Sequence, residues 1–325
     1  MVSPLDGLRA IYGDRVKYAQ GYAAGQPMYG NVNEIPQEVQ DKLRAEAVAM
    51  AKDADVVILV GGLNKNHLQD CEGGDRQSYG LPFGQEKLIE ELQAVNKNLV
   101  LVLLSGNAVE MPWIDKVPAI VQGWYLGSMG GKSIANVLSG KVNPSGKLPF
   151  SFPVKLTDNG AHSFDSLCYP GDGVKQVYKE DILVGYRWHD TKKIPAAFAF
   201  GHGLSYTTFE YGKAVASAKK MTADDQLEIS VKVKNTGAVA GKEVVQLYIG
   251  DDKSSVVRPL KELKHFQKIA LNPGEEQTVT FIVSADDLKY YDEASKDWKA
   301  EAGKFKAYIG SSSADIRTVV PFVLE

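Results

Sequence analysis

The segment Val56–Gly62 reads VVILVGG, a continuous run of aliphatic residues that ends in two glycines. Two further apolar runs follow, LVLVLLSG at Leu99–Gly106 and AIVQGW at Ala119–Trp124. Apolar runs without polar alternation are typical of strands that are buried on both faces, as in a parallel sheet. The three runs therefore predict a buried, mostly parallel sheet in the first half of the chain.

Helix-like segments separate these runs. Pro36–Lys52 precedes the first run, Gly84–Val95 leads into the second, and Ser128–Leu138 follows the third. Strands that alternate with helices of this length are typical of layered α/β folds. We therefore predict a three-layer α/β domain.

The pattern changes after about Tyr206, where short segments alternate between apolar and polar residues. These segments are Gln226–Asn235, Glu243–Gly250, Val279–Val283 and Lys304–Gly310, and turn-forming Asn, Pro and Gly residues lie between them. Short alternating strands at this spacing favour an antiparallel sandwich. We predict an α/β domain over residues 1–204, a linker over 205–218 and an all-β sandwich over 219–325.

Composition narrows the class of function. The formal net charge of −3 gives no electrostatic attraction for nucleic acid, and no apolar run reaches the roughly 20 residues that span a bilayer. The first residues contain no apolar signal-peptide core, so the compartment stays open. Cys71 and Cys168 fit no zinc spacing, although a bridge between them stays possible, and no two of the five histidines have metal-ligand spacing. We predict neither a metal site nor a cofactor.

Two glycine-rich stretches are candidates for phosphate-binding loops. Gly61-Gly62 lacks the GxGxxG spacing of a dinucleotide-binding turn, and the outer glycines of Gly127–Gly131 are one residue too close for a P-loop. Ser105 lies at a strand end but not in a GxSxG nucleophile elbow, so we interpret it as structural. Nucleotide chemistry and serine catalysis are therefore disfavoured.

The loop Asp70–Pro82, DCEGGDRQSYGLP, follows the first predicted strand and presents Glu72 just before two glycines. Glycine frees the backbone to aim a side chain, and loops at the carboxyl edge of a parallel sheet often carry function. Spacing alone favours the interpretation of Glu72 as a surface acid that pairs with Arg76 or caps the helix after Pro82, since most loop carboxylates are only solvated. For the adjacent Asp75 and Arg76 we favour a structural role that holds the loop.

Taken in order, the motifs of nearly the whole chain resemble the C-terminal portion of the family 3 glycoside hydrolases, a group of β-glucosidases and related exo-acting enzymes. The α/β part carries ADVVILVGGLN, CEGGDRQSYGLPFGQEKLI, VLLSGNAVEMPW and VQGWYLGSMGGKSIANVLSGKVNPSGKLPFSFP. The tail carries VKVKNTGAVAGKEVVQLYIGD, RPLKELKHFQKIALNPGEEQTVTF and WKAEAGKFKAYIGSSS, and resembles the fibronectin type III-like, immunoglobulin-like sandwich of that family.

The resemblance implies a division of labour between domains. In such enzymes an N-terminal (β/α)8 barrel carries the aspartate nucleophile, and a loop of the α/β domain supplies the acid/base, often the Glu of an EGxDR-like motif. Residues 72–76, EGGDR, match that motif, so the resemblance implies that Glu72 is the general acid/base. Gly73, Gly74, Asp75 and Arg76 would support the loop, and His67, Asp70 and Tyr79 are candidate substrate contacts.

Two departures limit what the resemblance implies. No counterpart of the barrel motif that bears the nucleophile occurs in this sequence, and one apolar strand expected before SPLDGLRA is missing. We therefore expect the chain to be inactive alone and to need the barrel as a partner, in cis or in trans.

The substrate expected is a β-linked glucoside or oligosaccharide, with β-xylosidase specificity as the alternative. A non-catalytic carbohydrate-binding or assembly fragment is the rival interpretation.

Such enzymes act in carbohydrate metabolism and polysaccharide degradation. Because members of this kind are often exported from bacteria, the resemblance also implies a periplasmic or secreted parent enzyme.

Overall fold

The computed structural model describes residues 1–24, 35–65, 69–72, 74 and 76–325. These residues form two compact units, Met1–Val142 and Asn143–Glu325. The first unit is a parallel-sheet α/β fold and the second is rich in antiparallel β-structure, as the sequence predicts.

The first unit is built around three parallel strands in the order β1-β2-β3. They are β1 (Val57–Gly62), β2 (Leu99–Leu104) and β3 (Ala119–Gln122). The helices are α1 (Pro4–Tyr12), α2 (Gln37–Ala51), α3 (Gln85–Val95) and α4 (Gly130–Leu138), with 3-10 turns at Gly13–Arg15, Ile114–Lys116 and Gly127–Met129. Most of β2 is fully buried because it is the central strand.

The end of β1 is fixed against β2. Gly62 lies opposite Leu104, and its φ of +128° is an angle that side chains rarely tolerate. A Cβ at Gly62 would lie 2.2 Å from the Leu104 carbonyl oxygen, so only glycine allows this approach. The chain therefore leaves the sheet at Gly62 along a defined path, and the loop that carries Glu72 begins there.

A buried glutamine ties this exit to the next helix. Gln85, in the first turn of α3, accepts a hydrogen bond from the Gly62 N–H (2.7 Å) and donates to the Gly62 carbonyl (2.8 Å). It also donates to the Pro82 carbonyl at 3.0 Å. The side chain is 1% exposed, so it satisfies backbone groups that water does not reach.

Asn143–Glu325 contains a β-sandwich and the segment 143–206 that packs on it. The strands are β4 (Phe152–Pro153), β5 (Ala196–Phe198), β6 (Phe209–Tyr211), β7 (Val215–Ala216), β8 (Lys220–Met221), β9 (Leu227–Asn235), β10 (Gly241–Asp251), β11 (Glu262–Leu271), β12 (Glu276–Val283), β13 (Tyr290–Asp292), β14 (Asp297–Lys299), β15 (Gly303–Gly310) and β16 (Ile316–Leu324). Helix α5 covers Tyr186–Lys192, and 3-10 turns lie at Leu156–Asp158, Gly160–His162 and Ala285–Leu288.

Two sheets enclose the apolar core of the sandwich. One has the order β11-β10-β15-β16-β8, and the other has the order β12-β9-β6 with β7 also paired to β9. Strand β9 shows why they pack, since Leu227, Ile229, Val231 and Val233 point to the core while the residues between them do not.

Segment 143–206 adheres to the sandwich through buried ion pairs and aromatic rings. Lys261 pairs with Asp190 at 2.6 Å, and Lys147 pairs with Glu243 at 3.0 Å. Tyr186 packs its ring edge-on against that of Tyr248. These contacts place residues 143–206 in the same compact unit as the sandwich.

The predicted domain limits stay a prediction. Residues 205–218, expected as a linker, include β6 and β7, which pair with β9.

The cysteines Cys71 and Cys168 are both free thiols, and the Cys168 Sγ donates to a carboxylate oxygen of Glu180 at 3.2 Å.

We expect Gln85→Met to lower the free energy of unfolding of the first unit by about 2 kcal/mol, because two buried backbone groups of Gly62 lose their partners. Urea titration measures this loss, and Glu90→Met, at an exposed position of the same helix, is the control. Equal stability of the two variants would contradict the role assigned to Gln85.

We expect Asn143–Glu325 to lose stability as the pH falls from 7.5 to 5.5. Burial lowers the pKa of His162 and, together with Lys147, lowers the pKa of His202, both from an ordinary value of 6.5. Below that value the unfolded state binds protons that the folded state excludes, so stability is complete above pH 6.5 and declines below it.

Urea unfolding at both pH values tests this expectation. The double substitution of His162 and His202 by Phe should flatten the decline, because it removes both titrating rings. A decline of the same size in the double variant would assign the pH dependence to other groups.

Candidate active site

Glu72 lies at the tip of a tight turn. Cys71 and Gly74, on either side of it, form an isolated antiparallel bridge, and the Cys71 Sγ lies 3.6 Å from the Gly74 carbonyl oxygen. The Glu72 side chain is exposed. Cys71, Glu72 and Gly74, which we call the Glu72 turn, therefore present a carboxylate away from the core of their own fold.

The two structural alternatives for Glu72 are not observed. Both terminal nitrogens of Arg76 donate to backbone carbonyls, those of Ala108 (2.9 Å) and Tyr79 (3.3 Å). The N-cap of helix α3 is Gly84, and no side chain caps it. Among the described residues, Glu72 is thus neither the ion-pair partner of Arg76 nor the cap of the following helix.

Asp70, two residues before Glu72, accepts hydrogen bonds from three donors. Its Oδ2 accepts from the Gly106 N–H (2.7 Å) and from the Tyr125 hydroxyl (2.6 Å), and its Oδ1 accepts from the Asn107 amide (2.6 Å). These donors come from the loops that follow β2 and β3. The carboxyl ends of all three strands thus meet around one carboxylate.

Burial and charge act on two groups around Asp70, the Tyr125 phenol and the Arg76 guanidinium. Burial, with the hydrogen bond to Asp70, raises the pKa of Tyr125, so its phenol remains a donor at any working pH. Burial lowers the pKa of the Arg76 guanidinium, and the nearby Asp70 carboxylate opposes that effect. Arg76 also lies over the ring of Tyr79, 5.7 Å from its centroid.

The three residues predicted to contact substrate, His67, Asp70 and Tyr79, differ in what surrounds them. Asp70 is engaged by its own chain on both oxygens, and Tyr79 is only 9% exposed, beneath Arg76. His67 lies outside the described residues, as do Gly73 and Asp75 of the motif. A direct role of Asp70, His67 or Tyr79 in substrate binding stays a prediction.

Asn107 and the backbone of Gly106 and Ala108 were missed by sequence reasoning, although SGN directly after a buried strand was an available signal. Tyr125, which directly follows the third apolar run, lies 48% exposed with its hydroxyl on Asp70. Ser105 is fully buried and donates to the Asn107 carbonyl at 2.8 Å, in agreement with a structural role.

Neither a metal site nor a membrane span is found in the described ranges. No group of three or more His, Cys, Asp or Glu side chains there is arranged to hold a metal ion. No helix there is long and apolar enough to cross a bilayer.

Comparison with models of known protein families identifies the family of this chain. The model of the glycosyl hydrolase family 3 C-terminal domain matches residues 1–206, and that of a fibronectin type III-like domain matches residues 243–313. The chain belongs to glycoside hydrolase family 3.

Relatives of this family 3 chain are β-glucosidases that are much longer. It is 61% identical over 322 residues to beta-glucosidase BoGH3A of Bacteroides ovatus. The aligned region covers 99% of this chain and 43% of that protein. It is 47% identical over 278 residues to thermostable beta-glucosidase B of Acetivibrio thermocellus, covering 86% of this chain and 36% of that protein. The chain thus spans less than half the length of these relatives and corresponds to their C-terminal portion.

Solved structures agree on the fold. The family 3 β-glucosidase of Bifidobacterium adolescentis superposes with a TM-score of 0.88 at 36% identity, over 100% of this chain and 45% of that chain. The β-glucosidase of Kluyveromyces marxianus gives a TM-score of 0.82 at 40% identity, over 90% of this chain and 35% of that one.

Proposed function

We propose that this chain is the acid/base-bearing part of a retaining exo-acting β-glucosidase, with Glu72 as the general acid/base. The observation that carries the proposal is an exposed Glu72 on a tight turn at the carboxyl edge of the sheet, with Arg76 engaged elsewhere. The names of the relatives support a β-glucoside as substrate.

Hydrolysis with retention of the anomeric configuration requires a second carboxylate. A retaining glycosidase uses two carboxyl groups roughly 5–5.5 Å apart, one as nucleophile and one that first donates and later removes a proton. In our proposal the nucleophile belongs to a (β/α)8 barrel that is not part of this sequence. Glu72 then protonates the leaving oxygen and afterwards activates the water that releases the sugar.

The barrel has a second role in the proposal. A general acid must hold its proton near the working pH, and burial or a neighbouring carboxylate provides the raised pKa that this needs. An exposed turn offers neither. A domain that covers the turn and brings its own aspartate would supply both.

The decisive experiment joins this chain to the N-terminal part of the Bacteroides ovatus relative, where the proposal places the barrel. In that fusion, we expect Glu72→Gln to lower kcat/KM about 10²- to 10⁴-fold for aryl β-glucosides with poor leaving groups. The loss should be much smaller for activated aryl β-glucosides, whose leaving groups need no proton. Azide, which needs no general base, should restore turnover of the activated substrates and yield a glucosyl azide.

Glu46→Gln, at an exposed position of α2, is the matched control and should leave both classes of substrate unaffected. Equal losses on good and poor leaving groups, or no loss, would refute the acid/base role of Glu72.

The 325-residue chain by itself should not cleave an aryl β-glucoside, because the nucleophile is absent from it. Addition of a separately produced barrel should restore cleavage if the two parts assemble in trans. A purified chain that is active alone, and that loses this activity on Glu72→Gln, would contradict the division of labour.

A further inference from the structure

The residues on either side of the Glu72 turn attach to one short segment of the neighbouring loop. Asp70, before the turn, accepts from Gly106 and Asn107, and Arg76, after the turn, donates to Ala108. Residues 106, 107 and 108 are consecutive. Two anchors on one segment restrain both the position and the orientation of the turn between them, whereas a single anchor would leave it free to pivot.

That segment is itself held by the sheet. Gln122, the last residue of β3, donates to the Ser105 carbonyl and to its hydroxyl, both at 3.1 Å. The Ser105 hydroxyl in turn donates to the Asn107 carbonyl at 2.8 Å. A chain of hydrogen bonds therefore runs from β3 through Ser105 to the segment that anchors the turn.

We propose that Asp70 and Arg76 form a two-point clamp on residues 106–108 and act as positioning residues for the proton transfer by Glu72. The proposal rests on the function proposed above. It assigns Asp70 to loop positioning in place of the substrate contact predicted from the sequence. Tyr125 belongs to the clamp through its hydrogen bond to Asp70.

The chemistry of each anchor is specific. Both oxygens of Asp70 accept from neutral donors, and bonds to an ionised acceptor are about twice as strong as neutral ones. The fork of Arg76 reaches two carbonyls at once, so a lysine, with one compact ammonium group, would not replace it. The guanidinium also lies over the ring of Tyr79, which favours a cation at that position.

A side chain at Gly106 would fit tightly against the clamp. A Cβ there would lie 3.2 Å from the Cε2 of Tyr125 and 3.4 Å from the Oδ2 of Asp70. A methyl group would thus require the Tyr125 ring to shift by a few tenths of an ångström and would touch the Asp70 carboxylate. Gly106→Ala is expected to loosen the clamp without removing any of its polar groups.

Hydrogen exchange on the 325-residue chain tests the clamp without any activity assay. Gly106 is an exposed residue, so its amide is protected by the bond to Asp70 rather than by burial. Asp70→Asn should speed exchange of this amide about tenfold or more, since a charge-assisted bond is lost. Tyr125→Phe should have a smaller effect in the same direction, and Tyr18→Phe, at an exposed tyrosine of the same unit, should have none.

Kinetics of the barrel fusion test the positioning role. Tyr125→Phe, Arg76→Lys and Gly106→Ala should lower kcat about ten- to a hundredfold for poor leaving groups, with KM little changed and activated substrates less affected. Gly146→Ala, where a Cβ meets nothing within 4 Å, should change neither. The effects of Asp70→Asn and Tyr125→Phe should be non-additive, because the two groups share one bond.

Unchanged Gly106 exchange in Asp70→Asn would overturn the clamp. Equal losses on good and poor leaving groups in the clamp variants would also overturn it, because a merely structural defect lowers both alike. Failure of the proposed function is distinguishable: there Glu72→Gln would show no dependence on the leaving group, while the exchange of Gly106 would still respond to Asp70→Asn.

Discussion

Parallel pairing of β1, β2 and β3 is the constraint on which the candidate site depends. Because the strands run in one direction, the loops that follow them leave from one edge of the sheet. The close approach of Gly62 to Leu104 sets where the first of these loops departs. Groups that are 36 to 55 residues from Asp70 in sequence can therefore share its carboxylate.

The carboxyl edge of the sheet connects the rigid core to the exposed Glu72 turn. Strand β2 is buried, and the hydrogen bonds of Gln122 and Ser105 extend its order into residues 106–108. Asp70 and Arg76 then join the Glu72 turn to that segment. Proton transfer is sensitive to errors of about 1 Å, so a carboxylate on an exposed turn benefits from such fixed flanks.

Much of the architecture was accessible from sequence patterns. Strand β1 was predicted to within one residue and helix α3 likewise, because buried runs and amphipathic helices have strong periodic signals. Strand β11 was missed, since its first residues are polar and alternation is weak. In the structure, the first residue of β11, Glu262, forms an ion pair at 3.1 Å with Arg187 of segment 143–206. The polar start of this strand is therefore satisfied by a contact with another segment.

The sequence by itself determined the layer pattern, the family resemblance and the exposed acid on a glycine-flanked loop, because these are properties of contiguous residues. Only the tertiary structure decided what surrounds that acid. The partners of Asp70 and Arg76 lie on other loops, and hydrogen bonds between distant segments leave no periodic trace in a single sequence. Whether an Asp contacts solvent, substrate or its own chain is set by which strand ends the fold brings together.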